Sequence, residues 1–319
     1  MKKYNYIIYH KNCLDGFASF VILFNSKTIA TQHHIFPDVP SAKSVPLNIS
    51  DKDVIIMDVA YSYEILKQIM LLARSVTFID HHVTIHDDVK KIYQEIKSSS
   101  NKEIVIIYDK LKSGCALTWE FLYQTKPPLF VRLIEDNDTG RWKMPHIFDF
   151  ISALSVKYNI NHNKSTLKQW SKLTSIKEIN KLISLGIIYN QYKDHLVDSS
   201  YKRISIEQFP SEAIFQAHPT LFDKPGQYKC AVYNGSPCPN ASDLAKRIFK
   251  EFQCDFFMSW VYNLDRKEYV LVFRSERVDV GSIAKIFNGG GHTLAAAASI
   301  KDYMFNIVDL FFGKSLDRK

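Results

Sequence analysis

The sequence predicts an α/β protein: a parallel sheet with helices on both faces, a helical connector, and a smaller α/β domain. Three observations predict it. Short Val- and Ile-rich runs alternate with helix-spaced segments up to Gly140. From residue 150 the chain turns polar and Lys/Asn-rich, without a strand signal. Strand-like runs then return after Tyr201. These shifts divide the chain into 1–175, 176–200 and 201–319.

In the first range, "YNYIIYH" reads as a strand, "KNCLDG" as a polar turn and "FASFVILFNS" as the start of a helix. "DVIIMDVA" and "SVTFIDHH" are further strands, separated by "YEILKQIMLLARS", whose Ile65, Ile69 and Leu72 recur at helical spacing. "EIVIIYD" is a fourth strand and "CALTWEFLY" another helix. Buried aliphatic runs separated by helices mark a parallel sheet covered on both faces. In the connector, Leu182, Leu185, Tyr189, Tyr192 and Leu196 form one apolar stripe. The last range holds strand candidates "RISIEQF", "YKCAVYN", "FFMSWVYN" and "EYVLVFRS" around the helix "ASDLAKRIFKEF". It ends in "VGSIAKIFNGGGHTLAAAASI".

Composition sets broad limits. A 319-residue chain with 46% hydrophobic residues suffices for two domains with substantial cores. Its 41 Lys and Arg against 33 Asp and Glu leave a net charge of +8. That leans toward anionic partners such as phosphates or nucleic acid, although a solvated basic surface is the plainer account. Cys13, Cys115, Cys230, Cys238 and Cys254 are scattered and form no CxxC pair, against a disulfide framework or structural zinc. With no apolar run near the roughly 18 residues of a membrane span and no signal-peptide pattern in "MKKYNYIIYH", the expected location is cytoplasmic, away from membranes.

The chemistry gathers where strands end. His10, Cys13 and Asp15 follow the first strand, Asp58 the second, and Asp80, His81 and His82 the third. Asp136 and Asp138 form a further acidic cluster in "IEDNDTGRW". Ligands of parallel sheets bind outside the carboxyl ends of the strands. Carboxylates with one or two imidazoles make a hard, mixed donor set suited to Mn²⁺, Mg²⁺ or Fe²⁺. Crowded carboxylates repel without a cation, and a pair of ions relieves that while clamping both oxygens of a phosphoryl displacement. Taken singly, Asp58 reads as a helix cap and His10 as a core histidine; together they read as a metal site. His33, His34 and His86 read as surface residues, and Ser113 as a helix N-cap.

"FIDHHVT" resembles the signature of the DHH phosphoesterase superfamily, which includes nano-RNases, single-strand exonucleases, cyclic-dinucleotide phosphodiesterases, exopolyphosphatases and family II pyrophosphatases. "HKNCLDGFAS", "VIIMDVAYS" and "EDNDTGRW" resemble its other motifs, in the same order. "NGGGHTLAAAAS" is similar to the Gly-Gly-Gly-His motif of the DHH-associated C-terminal domain. The resemblance implies that 1–175 is a metal-binding catalytic domain and 201–319 a substrate-binding domain forming the other wall of a cleft. It implies two Mn²⁺ ions, with Mg²⁺ as the substitute, Asp58 bridging them and Asp15 binding one. His81 would be a ligand, His82 would touch the scissile phosphate, and Asp80 would orient a histidine. Asp138 or Asp136 would supply one more ligand. Where the family commonly has a second Asp this chain has Cys13, and either Cys13 or His10 would fill that position.

In the C-terminal motif, Gly289, Gly290 and Gly291 admit an anion to backbone N–H groups, and the segment after them reads as a helix. His292 and Arg274 form a cationic pair, with Arg277 a further candidate. By resemblance these residues hold the substrate's phosphate or terminal nucleotide. The function implied is end-wise hydrolysis of short single-stranded oligonucleotides or related phosphodiesters by a metal-bound hydroxide. The alternatives are a phosphoanhydride hydrolase of the exopolyphosphatase or pyrophosphatase kind, and a nucleotide- or RNA-binding module without turnover. A homodimer is the further partner to test for.

Overall fold

The computed structural model describes residues 2–237, 240–301 and Ile307; Cys238 and the remainder of 302–319 lie outside the described residues. The chain divides into two compact units, Met1–Asn190 and Gln191–Lys319.

The first unit opens with β1 (Tyr4–His10), α1 (Leu14–Asn25), β2 (Ile29–Asp38) and β3 (Asp53–Met57). It continues with α2 (Tyr63–Leu72), β4 (Ser75–Asp80), α3 (His86–Ser99) and β5 (Glu103–Tyr108). Helices α4 (Gly114–Tyr123), α5 (Leu129–Asp138), α6 (Ile147–Lys157) and α7 (Lys164–Ser171) follow, and α8 (Ile176–Tyr201) runs past the boundary. The strands form one sheet in the order β2-β1-β3-β4-β5, with every pairing parallel.

Alternation along the strands assigns two cores to the two faces. Ile7, Tyr9, Ile55, Met57 and Ile79 pack with α1, α4, α5, α6 and α7. Tyr6, Ile8, Val54, Ile56, Val76 and Phe78 pack with α2 and α3. Both faces are dry, so the strands read as unbroken aliphatic runs. Trp170 of α7 and Leu173 belong to the first core, which ties the Lys/Asn-rich stretch into this unit. Gly186 of α8 lies so close to α6 that a Cβ there would overlap the Asp149 carbonyl.

One strand of the first unit departs from the sequence reading. His33 and His34 are exposed, but they lie on β2, a sheet strand that the reading left out. Thr31–His34 is polar because β2 is an outer strand. Its register also slips: Tyr4 pairs with Ile29 and Tyr6 with His34, so β2 holds extra residues between them. That breaks any regular alternation.

The second unit has β6 (Ser205–Phe209), α9 (Glu212–Ala217), β7 (Tyr228–Asn234), α10 (Ala241–Glu251) and β8 (Phe256–Asn263). Then come β9 (Glu268–Ser275), α11 (Val280–Ile286), β10 (Gly290–His292) and β11 (Ala295–Lys301). Its sheet runs β10-β11-β9-β8-β7-β6, antiparallel except for β7 with β8. The segment after the three glycines is therefore a hairpin strand, not a helix. Ala295–Ala298 pair with Leu271–Arg274, and this ladder outweighs the helical preference of an alanine run. No helix among the described residues is long and apolar enough to cross a membrane.

Phe78 is fully buried between β4 and the α2–α3 face. Phe78→Ala is expected to cost about 3–5 kcal/mol of unfolding free energy, read as a lower urea midpoint with an unchanged m-value.

Candidate metal centre

The carboxyl ends of β1, β3 and β4 sit side by side in the sheet, so the residues that follow them converge. The turn after β1 is tight: Asn12 is left-handed (φ 58°), and a Cβ on Gly16 would stand 2.6 Å from His10 Cβ. Glycine at 16 thus lets the start of α1 fold back against His10. Asp58, just beyond β3, is itself left-handed (φ 63°), a conformation open to Asp at some cost. Its amide donates to the Ile79 carbonyl at 2.9 Å.

At the end of β4 the fully buried Asp80 organises both histidines. Its Oδ1 accepts the amides of His81 (2.6 Å) and His82 (2.8 Å) and the Nδ1 of His82 (2.7 Å). Because a carboxylate only accepts, Nδ1 carries the proton and His82 keeps Nε2 free. Tyr108 at the end of β5 donates its hydroxyl to the His82 carbonyl at 3.2 Å.

His81 Nε2 faces three carboxylates: Asp58 Oδ1 at 3.2 Å, Asp138 Oδ2 at 3.3 Å and Asp15 Oδ2 at 3.9 Å. Asp15 is buried, and its two oxygens accept the amides of Gly114 (2.6 Å) and Cys115 (2.9 Å) at the amino end of α4. The sequence reading missed these two amides. Their signal is the Ser113-Gly114 pair, since Ser113 caps α4 and a Cβ on Gly114 would meet Asp58 Cβ at 2.8 Å. Lys112 pairs with Glu120.

The electrostatics follow from burial and crowding. Burial, then Asp58 and Asp138, push the Asp15 carboxyl well above its ordinary range despite the two amides. Burial also raises Asp138, with Asp58 adding to it. Burial works against ionised Asp58 too, but the His10 and His81 imidazoles outweigh it and hold that carboxyl at about 2. For His81, burial disfavours the imidazolium, but Asp58, Asp15 and Asp138 raise it to about 9. Asp80 raises His82. Burial and Asp58 push the Cys13 thiol up.

Among the described residues three donor triads result, each with ligand atoms within 4.8 Å of one another: His10, Cys13 and Asp58; Asp58, His81 and His82; and Asp15, His81 and Asp138. Asp58 belongs to two of them. His10 Nδ1 and Asp58 Oδ2 face one another at 3.4 Å, an ion-pair contact without hydrogen-bond geometry. A ring nitrogen and a carboxylate oxygen that face one another at this distance suit a divalent cation between them. The residues present therefore fit divalent metal ions. Asp136 stands outside these triads: it accepts the Met144 amide at 2.9 Å and faces Arg141, tying down the loop after α5.

In the second unit, Arg274 pairs in register with Ala295, and Ala295 with His292. Opposed residues share a face, so Arg274 and His292 flank a small residue two strands apart, roughly 10 Å. Arg274 donates to Ser242 Oγ and to the Phe273 carbonyl. Packing accounts for two of the glycines, since a Cβ on Gly289 would meet the Ala297 carbonyl at 2.2 Å and one on Gly291 the Ala295 carbonyl at 2.5 Å. Gly290 faces open space. Arg277 is held by Asp255 at 2.7 Å.

No protein-family model matches the chain. Among curated proteins it is similar to an uncharacterized protein of Acanthamoeba polyphaga mimivirus, with 28% identity over 307 residues. The match covers 91% of this chain and 66% of that protein, so the chain spans just under two thirds of its relative's length. Among solved structures, a pGpG-specific phosphodiesterase from Vibrio cholerae superposes with a TM-score of 0.54 at 14% identity, covering 96% of this chain and 95% of that one. That likeness establishes a shared fold, in agreement with the motifs that resemble the DHH superfamily. An exopolyphosphatase-related protein from Bacteroides fragilis reaches a TM-score of 0.35 at 12% identity, covering 95% and 88% of the two chains, too loose a likeness to argue from.

The crowding has a pH signature. A raised His81 contributes stability that is complete below its ordinary 6.5 and is lost as pH rises through about 9. Raised Asp15 acts in the same sense, while Asp58, held at about 2, loses its contribution only in acid. The melting temperature of chelated protein is therefore expected to fall between pH 6.5 and 9. Saturating Mn²⁺ is expected to remove that fall, because metal ligation needs the neutral imidazole. A flat profile in chelator would contradict this account.

Proposed function

We propose that the chain is a metal-dependent phosphoesterase that hydrolyses short single-stranded oligonucleotides or related phosphodiesters from one end. The observation that carries this reading is the convergence of Asp15, Asp58 and Asp138 on His81 Nε2, with His10 Nδ1 facing Asp58 Oδ2 at 3.4 Å on the other side. The ordered motifs that resemble DHH phosphoesterases support the reading, as does the fold shared with a protein whose name gives pGpG as its substrate.

In this proposal Asp15, His81 and Asp138 would hold one Mn²⁺, and His10 and Asp58 would hold a second divalent ion. Mg²⁺ is the substitute. Divalent ions bound there polarise a phosphoryl oxygen and lower the pKa of a water. Asp80 keeps the His82 proton on Nδ1 and raises the basicity of the ring. A charged His82 then offers a second proton at Nε2 to an oxygen of the scissile phosphate. The amides of Gly114 and Cys115 hold Asp15 in place, and Tyr108 fixes the His82 backbone. Arg274, His292 and the open Gly290 of the second unit would bind a phosphate group, as the resemblance implies.

Purified protein with Mn²⁺ and a labelled dinucleotide is expected to release nucleoside monophosphates. Asp58→Asn should lower that rate by more than roughly 100-fold, a loss seen even for groups that only support metal ligands. Cleavage of polyphosphate with dinucleotides untouched would favour the phosphoanhydride alternative. Tight binding without cleavage would favour the binding module. His292→Ala is expected to raise KM several-fold while kcat and bound metal are retained; loss of metal would show that His292 serves the centre itself.

A further inference from the structure

The donor triads are chemically unequal. Asp15, His81 and Asp138 offer two oxygens and a nitrogen, whereas His10, Cys13 and Asp58 offer one nitrogen, one sulfur and one oxygen. Cys13 occupies the N-cap position of α1, where Ser, Thr, Asp and Asn are favoured for their oxygen, yet it makes no side-chain capping hydrogen bond. Its sulfur instead stands in one group with His10 Nδ1 and Asp58 Oδ2, which face one another at 3.4 Å without hydrogen-bond geometry; Asp58 itself is 1% exposed. The left-handed Asn12 and the Cβ-free Gly16 bring His10 and Cys13 together across the β1–α1 turn.

We infer that Cys13 is a metal ligand and that the centre is asymmetric, with one sulfur-bearing position for a softer ion such as Zn²⁺, Fe²⁺ or Co²⁺ and one hard position for Mn²⁺ or Mg²⁺. Thiolate ligands select softer ions, and carboxylate oxygens select harder ones. Ligation exchanges the thiol proton for the metal, and the proton leaves to solvent with no change in oxidation state. Metal preference is thereby set by this chain's own residue at position 13. The inference rests on the reading that the cluster binds two ions.

Co²⁺ tests it without any assay of turnover. Metal-free, reduced full-length protein titrated with Co²⁺ is expected to bind two equivalents, of which one brings a near-ultraviolet sulfur-to-cobalt charge-transfer band. Zn²⁺ should displace that band at concentrations where Mn²⁺ does not. Cys13→Ser should lose the band while still binding cobalt at the other position. Cys13→Asp, which restores an oxygen ligand, should bind two cobalt ions without the band and shift competition toward Mn²⁺. Two bound ions without the band in the unaltered protein, or a band that survives in both variants, would overturn the role of Cys13 and leave the two-ion reading standing. Failure to bind cobalt at all would overturn both, whereas a cobalt band in a protein that cleaves no dinucleotide would overturn only the phosphoesterase.

Discussion

Three carboxylates meet around one imidazole nitrogen at the carboxyl edge of the parallel sheet, and much of the first unit is arranged to hold them there. Asp15, Asp58 and Asp138 lie within 3.9 Å of His81 Nε2. Like charges this close in a buried setting cannot all stay ionised without a compensating positive charge. Without metal the compensation is a proton on His81, whose affinity the carboxylates raise. In the proposed metal-bound protein it would be the ion. One structural demand thus accounts for the perturbed acids.

Local backbone geometry secures that convergence. Glycine is required at two approaches, Gly16 against His10 and Gly114 against Asp58, because any Cβ would overlap. Asp58 adopts a left-handed conformation immediately after its strand. Asp80 gathers three donors on a single oxygen, so His81 and His82 are positioned by one group. Helix α4 turns its first amides onto Asp15, and the positive end of the helix faces the most crowded acid.

Legibility in the sequence tracked physical cause. Fully buried strands such as Val54–Met57 and Val76–Ile79 announce themselves because both faces are dry. Outer strand β2 does not, since solvent on its free side admits Gln32, His33 and His34 and its register slips. The titratable residues of the centre were visible because charged groups at the ends of aliphatic strands are unusual. The backbone amides of Gly114 and Cys115 were invisible, since an N–H leaves no mark in the residue code. Ala295–Ala298 misled for a related reason: local preference favours a helix, and the partner that makes them a strand, β9, is contributed by a distant stretch of chain. Asp136 and Asp138 look alike in sequence, but α5 places Asp138 near His81 and Asp136 under the Met144 amide.

The slipped register of β2 bears on how the chain behaves among its own copies. An outer strand with a flat, continuous row of free amides and carbonyls is a template on which another chain can add a strand and begin to aggregate. Extra residues between Ile29 and His34, together with exposed polar side chains, interrupt that row. An incoming strand finds no even ladder to zip onto, so the irregularity guards the margin of the sheet.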